Sequence, residues 1–185
     1  MLDTPDEAIA RRVQQGETQL FGVLVERYEE KMMRYARRFL FGYDDAEDVV
    51  QEVFIRAYVN IKSFDTHRRF SPWIYRIAHN LFINTIKKKG KETVPLFDPD
   101  TVLPRLVAVE QTNTEIETRE VREMLDRALR HVPPKYREPL VLYYDEGLSY
   151  KEIAEILRIP SVTVGVRLSR GKVMLRKHFF AETHS

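Results

Sequence analysis

The chain has 185 residues, 30 basic against 28 acidic side chains for a formal net charge of +2, and no cysteine. A hydrophobic share of 43% is enough for packed cores, and the length suits one domain or two small ones. The composition excludes disulfides and thiolate zinc sites. With no signal-peptide pattern and no apolar run of spanning length, a soluble cytoplasmic protein without membrane insertion is expected.

The small net charge hides an alternation. Residues 1–64 carry nine basic and twelve acidic groups, 65–91 seven and one, 92–148 seven and twelve, and 149–178 seven and two. Two separated basic blocks suit two contacts on one polyanion, although a block of one sign is also an ordinary solvated face.

Thr4-Pro5-Asp6-Glu7 reads as a helix start, with a threonine cap, proline at the first position and glutamate three residues past the cap. That short helix stops at Gly16. Thr18 is expected to cap a second helix with Leu20, Phe21, Leu24, Tyr28, Met32, Tyr35 and Phe39 on one face, ending at Gly42. Asp44 caps a third, and Glu47 completes its box. In this third helix Ala46, Val49, Val50, Val53, Phe54, Ala57 and Ile61 take the buried side. Opposite them lie Ile55 and Val59, framed by Asp45, Asp48, Gln51 and Glu52, an apolar middle with a charged rim that suits docking. Singly exposed aliphatics are common on any surface, so spacing alone leaves the plainer reading open. No other residues converge on these acids to make a catalytic site.

Residues 63–69, SFDTHRR, break the helical pattern and read as a loop. The stretch that follows, FSPWIYRIAHNLFINTIKKK, places Phe70, Trp73, Ile74, Ile77 and Leu81 on a core face. Arg76, Asn80, Asn84 and Lys87 run along a neighbouring polar edge, and Tyr75, His79, Phe82 and Ile86 form a further stripe for flanking helices or a stacked base. A basic helix with an amide edge and spare aromatics fits single-stranded nucleic acid, and equally a core helix with a solvated lysine end.

Residues 90–115 lack helical period and contain Pro95, Pro99 and Pro104, an acidic, flexible linker. The expected architecture is all-α: a helical domain over 1–91, a linker over 92–114 and a second helical domain over 115–185. In the second, Ile116, Val121, Leu125 and Leu129 keep helical spacing up to Pro133-Pro134, and a helix over 135–145 ends at Gly147. Ser149, boxed by Glu152, caps the next helix, with Ile153, Ala154, Ile156 and Leu157 inside. Ile159-Pro160-Ser161 turns the chain, and Ser161 caps the last helix, with Val164, Leu168, Gly171 and Leu175 inward and Thr163, Arg167 and Arg170 outward. Two helices joined by so short a turn form a helix-turn-helix.

The histidines (67, 79, 131, 178 and 184) lack metal-site spacing, and Asp145-Glu146-Gly147 lacks the other positions of a calcium loop. With no glycine-rich phosphate loop and no nucleophile elbow, no enzyme, catalytic residue, metal or cofactor is expected.

The motifs Asp45-Ala46-Glu47-Asp48-Val49-Val50-Gln51-Glu52-Val53-Phe54, Trp73-Ile74-Tyr75-Arg76-Ile77-Ala78-His79-Asn80 and Leu148-Ser149-Tyr150-Lys151-Glu152-Ile153-Ala154, in this order, resemble bacterial sigma factors of the extracytoplasmic-function (ECF) group. Residues 8–91 resemble region 2 and 117–179 region 4. The resemblance implies a non-enzymatic transcription initiation factor whose partners are promoter DNA and core RNA polymerase, at the clamp helices of its largest subunit and the flap of its second-largest. An anti-sigma factor is a further candidate partner.

By that resemblance Asp48, Gln51, Glu52 and Ile55, with Val59 beside them, are the polymerase-docking residues. Phe64, the loop residues Asp65, Thr66, His67, Arg68 and Arg69, and Asn80 capture a flipped base of the minus-ten element, with Arg76 and Lys87 on the same basic edge. Ser161, Thr163, Gly165, Val166, Arg167 and Arg170 face the minus-thirty-five element. Trp73 stays with the core. The chain departs from the family where Arg158 replaces a common corner glycine, where Gly165-Val166 replace a basic residue and serine, and in its bulky, basic loop. Two rival readings are a stand-alone helix-turn-helix regulator, which would bind its operator unaided, and a nucleic-acid enzyme such as a recombinase, for which no nucleophile is found.

Overall fold

The computed structural model describes residues 4–40, 46–89 and 119–183, and these are helices and short connections without a strand. Two compact units result, one formed by α1 to α4 and the other built around α5, α6 and α8. The helices are α1 Asp6–Gln14, α2 Phe21–Phe39, α3 Ala46–Val59, α4 Phe70–Lys89, α5 Arg119–Arg130, α6 Pro134–Leu140, α7 Tyr150–Leu157 and α8 Ser161–Thr183. The expected linker, Gly42, Asp44, Asp45 and Ile116 lie outside the described residues.

The first unit is organised by the inner stripe of α2. Leu24, Tyr28, Met32, Tyr35 and Phe39 recur at steps of three and four, and all are buried. α3 packs against both α2 and α4. Val50, Val53 and Ala57 of α3, and Phe70, Ile74, Ala78 and Phe82 of α4, complete the core. The Tyr35 ring centre is 4.8 Å from that of Phe82, 5.8 Å from Tyr75 and 5.9 Å from Phe39. Each such side chain stabilises the fold by roughly 1.5–3 kcal/mol through burial. Trp73 and Ile77, expected inside, are only half-buried.

The helix starts differ from the local expectation. Thr4 makes no side-chain cap; Pro5 precedes α1 in extended backbone. Asp6 instead pairs with Arg27 and accepts from the Tyr28 hydroxyl at 2.7 Å. Burial, then the Asp6 carboxylate, push that hydroxyl far above the ordinary tyrosine value, so it remains a donor. Glu7 reaches the start of α4 rather than its own cap. Gly16 ends α1 at φ 110°, a conformation that favours glycine. Thr18 opens a 3₁₀ turn, Thr18–Leu20, and does not cap α2.

In the second unit α5 and α6 both pack on α8. Leu129 is buried, while Val121 and Leu125 are half-buried. The buried Arg137 donates to the carbonyl of Val132 at 3.3 Å and lies 3.5 Å from that of Arg130, so it serves the carbonyl end of α5. Pro139 sits inside α6, which widens over Val141–Asp145 and ends where Gly147 takes φ 65°.

Gly171 marks the closest approach. A Cβ there would stand 3.0 Å from the Tyr136 carbonyl oxygen and 3.0 Å from Leu140 Cδ1. Gly171→Ala must push α6 away from α8. It should lower stability by about 1–2 kcal/mol in denaturant titration despite alanine's better helix propensity. A stabilised variant would mean that the helices part freely.

Candidate nucleic-acid and docking interfaces

The outer face of α3 follows from its inner one. With Val50, Val53, Phe54 and Ala57 buried, the residues opposite turn to solvent. Ile55 is 56% exposed and Val59 71%, the largest values on this helix's apolar residues. Asp48 and Gln51 are exposed beside them, and Glu52 forms an ion pair with Arg56 at 2.6 Å, one turn on. Such an exposed pair is worth only a few tenths of a kcal/mol, so either partner can turn to another charge. Tyr58 was not anticipated. It is exposed, three residues from Ile55, with its ring centre 5.2 Å from that of Phe21 in an edge-to-face arrangement. The i, i+3 step from Ile55 is the signal that could have found it.

Between α3 and α4 the chain makes a 3₁₀ turn, Ile61–Ser63, whose three-residue period puts Ile61 and Phe64 on the same side. Both are buried. Phe64, expected among the base-capturing residues, is turned inward here: its ring centre lies 5.3 Å from that of Phe70 and 5.1 Å from that of Trp73, which anchors the loop. Beyond it Asp65 Oδ1 accepts from the His67 amide at 3.0 Å, and the Asp65 carbonyl accepts from the Arg68 amide at 3.0 Å. The loop is thus a formed turn. Asp65, His67, Arg68 and Arg69 are exposed, and Thr66 is half-buried.

On α4 the polar edge lies outside: Asn80, Asn84 and Lys87 are exposed and Arg76 half-buried. The neighbouring stripe is covered instead. Tyr75, Phe82 and Ile86 are buried and belong to the core beneath the edge, while His79 is half-buried.

The helix-turn-helix runs over α7 and α8. Ser149 and Glu152 make the reciprocal capping box at the start of α7. Arg158 closes that helix in the left-handed region, φ 55° and ψ 46°, where glycine is the usual occupant. Inside are Ile153, Ile156, Leu157, Val164 and Leu168, while Ala154 and Leu175 are half-buried. The Pro160 carbonyl accepts the first bond of α8, from Val164, so Ser161 is the first helical residue and not the cap.

Thr163 is buried, against expectation. It occupies the first turn of α8, where the chain has just left the corner. The Tyr150 ring lies 3.5 Å from where a Cβ on Gly165 would stand, so Gly165 too is partly covered. Ser161 and Arg170 are exposed, and Val166 and Arg167 half-buried. Val162, four residues before Val166 and overlooked in the sequence, is 56% exposed. The two valines stand on one outward side.

Residues 24–92 match the Sigma-70 region 2 family and residues 122–175 the Sigma-70, region 4 family. The ECF RNA polymerase sigma factor SigW of Bacillus subtilis is 39% identical over 183 residues, covering 90% of this chain and 92% of that protein. The chain belongs to the ECF sigma factors. The ECF RNA polymerase sigma-E factor of Haemophilus influenzae is 34% identical over 176 residues, with 92% and 93% covered. The fold resembles that of CnrH, solved in complex with the cytosolic domain of CnrY, with a TM-score of 0.72 at 24% identity over 95% of this chain and 97% of that one. As a sigma factor the protein is a non-enzymatic initiation factor that binds core RNA polymerase and directs it to promoter DNA. Among the described residues no helix of this sigma factor is long and apolar enough to cross a membrane.

Proposed function

We propose that the two units divide promoter opening between them, in the cytoplasm, with residues 1–91 on the polymerase and the minus-ten element, 92–114 as tether and 115–185 on the minus-thirty-five element. The observation that carries this reading is the first unit's outer surface. Ile55 and Val59 stand exposed on α3, while Asp65, His67, Arg68 and Arg69 of the turned loop and Asn80 of α4 stand exposed, all over a filled core. Asp48, Gln51, Glu52, Ile55, Val59 and Tyr58 dock on the clamp helices, and the second unit meets the flap. Asp65, Thr66, His67, Arg68, Arg69 and Asn80 hold the flipped base, with Arg76 and Lys87 on phosphates. Removing a base from the stack costs a few kcal/mol, which these contacts offset. Neither unit alone needs high affinity, because the tether raises the effective concentration of the second contact. An anti-sigma factor that covers Ile55 and Val59 in the free protein is a further partner. Transcription of genomic DNA by core polymerase with and without the protein, followed by mapping of starts, tests the whole. Gel shift at those promoters by the protein alone, as tight as with polymerase, would return it to the stand-alone regulators.

In the second unit Val162 and Val166 offer apolar surface beside Ser161, Arg167 and Arg170. Valine cannot hydrogen-bond a base edge but packs on a thymine methyl. We therefore expect a thymine opposite Val166 in the minus-thirty-five element. Replacing it by uracil should weaken binding by about 1 kcal/mol, and Val166→Ser should erase the difference. Arg170→Ala should lower affinity and the salt slope without changing sequence preference. Wild-type tolerance of uracil at every thymine rules the contact out.

A further inference from the structure

We propose that α1 is the positioning element of the minus-ten loop, with Glu7, Arg11 and Gln14 holding residues 61–70 in the shape that reads a base. The inference rests on the assignment of this loop to base capture made above. The three side chains stand at i, i+4 and i+7, one stripe of the helix. They meet the opposing chain in reverse order. Glu7 Oε1 accepts from the Phe70 amide at 2.9 Å. Arg11 Nε and Nη2 both lie 3.3 Å from Thr66 Oγ1. Gln14 Nε2 donates to the Ile61 carbonyl at 2.8 Å and to the Phe64 carbonyl at 2.7 Å.

Each contact has a definite chemical role. The Phe70 amide is one of the orphan donors at the start of α4, and a carboxylate there also complements the helix dipole. The two hydrogens of one primary amide satisfy two carbonyls at the loop's entry. Thr66 is tied in mid-loop. What α1 holds is thus the entry, the middle and the exit of the loop, while Asp65, His67, Arg68 and Arg69 remain exposed. A loop ordered on folding does not lose that freedom again on binding, so its contacts discriminate more sharply. The helix that does this lies outside residues 24–92, the extent of the match to Sigma-70 region 2.

The test uses full-length protein with core polymerase on pre-opened promoter templates carrying each of the four bases at successive minus-ten positions. Gln14→Glu keeps the shape but turns an acceptor toward two carbonyls, whereas Gln14→Lys keeps donors. Gln14→Glu should compress the ratio between the best and worst base about three- to tenfold, given the usual worth of one or two hydrogen bonds. It should also speed hydrogen exchange at amides 64–68 and leave affinity for core polymerase unchanged, and Gln14→Lys should keep most of the ratio. Should Gln14→Glu not fold, Arg11→Ala alters an exposed side chain and should compress the ratio about twofold. If His67→Ala alters the base ratio and neither α1 variant does, the positioning role is overturned and base reading by the loop stands. If no variant alters it, the loop's assignment falls, and this inference with it. Reduced transcription at an unchanged ratio assigns Gln14 to folding alone and overturns the proposal.

Discussion

Ile55→Glu is expected to weaken binding to core polymerase at least thirtyfold, roughly 2 kcal/mol, while the melting temperature of the free protein moves by no more than about 2 °C. The asymmetry follows from where the side chain stands. Ile55 is 56% exposed in the free protein, so a carboxylate there remains hydrated and no core contact is lost. In the docking proposed above the same position is the apolar centre of a face rimmed by Asp48 and Glu52, and the new charge would be desolvated among like charges. Titration of labelled protein with core polymerase, paired with a thermal melt, separates the two effects. A melting temperature lowered by several degrees would assign Ile55 to packing and leave the docking face without its centre.

Asn80→Ala should impair opening of the minus-ten region more than formation of the closed complex. The amide stands exposed on α4, and on the proposed assignment it meets a base only after that base has left the stack. Loss of one good base contact is worth about 1–3 kcal/mol, roughly a 5- to 150-fold fall in open complexes. A pre-opened template should recover part of the loss, and the salt slope should stay as it was because no phosphate contact is removed. An equal loss at the closed stage would assign Asn80 to duplex binding.

Periodicity made the inner stripe of α2 and the outer side of α3 legible, because a run of apolar residues at steps of three and four has one way to be buried. The Ser149 box was legible for the same kind of reason, since both partners lie within one turn. Thr4 to Glu7 satisfies that local pattern equally well, yet Asp6 and Glu7 are engaged by Arg27, Tyr28 and Phe70, partners that no window of a few residues contains. Tyr75, Phe82 and Ile86 were ambiguous because a helix pattern does not say how many neighbours a helix has. Thr163, expected outward from helical spacing, is buried in the first turn of α8, where a window that starts at the corner does not show what the turn packs on. The left-handed residue at Arg158, by contrast, was foreseeable from the glycine that its family commonly carries there.

The bond from Glu7 to the Phe70 amide also orders events on the ribosome. A helix of nine residues is marginal by itself in water, so α1, made before the other described helices, does not stand alone. Its apolar side, Ile9, Ala10 and Val13, finds α2 soon after synthesis. The stretch of 63 residues that separates Glu7 from its amide partner takes roughly 3–12 s to translate at ordinary rates. Through those seconds Glu7, Arg11 and Gln14 are hydrated and waiting. Within the first unit α1 is therefore made before the segment that completes its bonds, and the loop between α3 and α4 emerges onto a helix already in place.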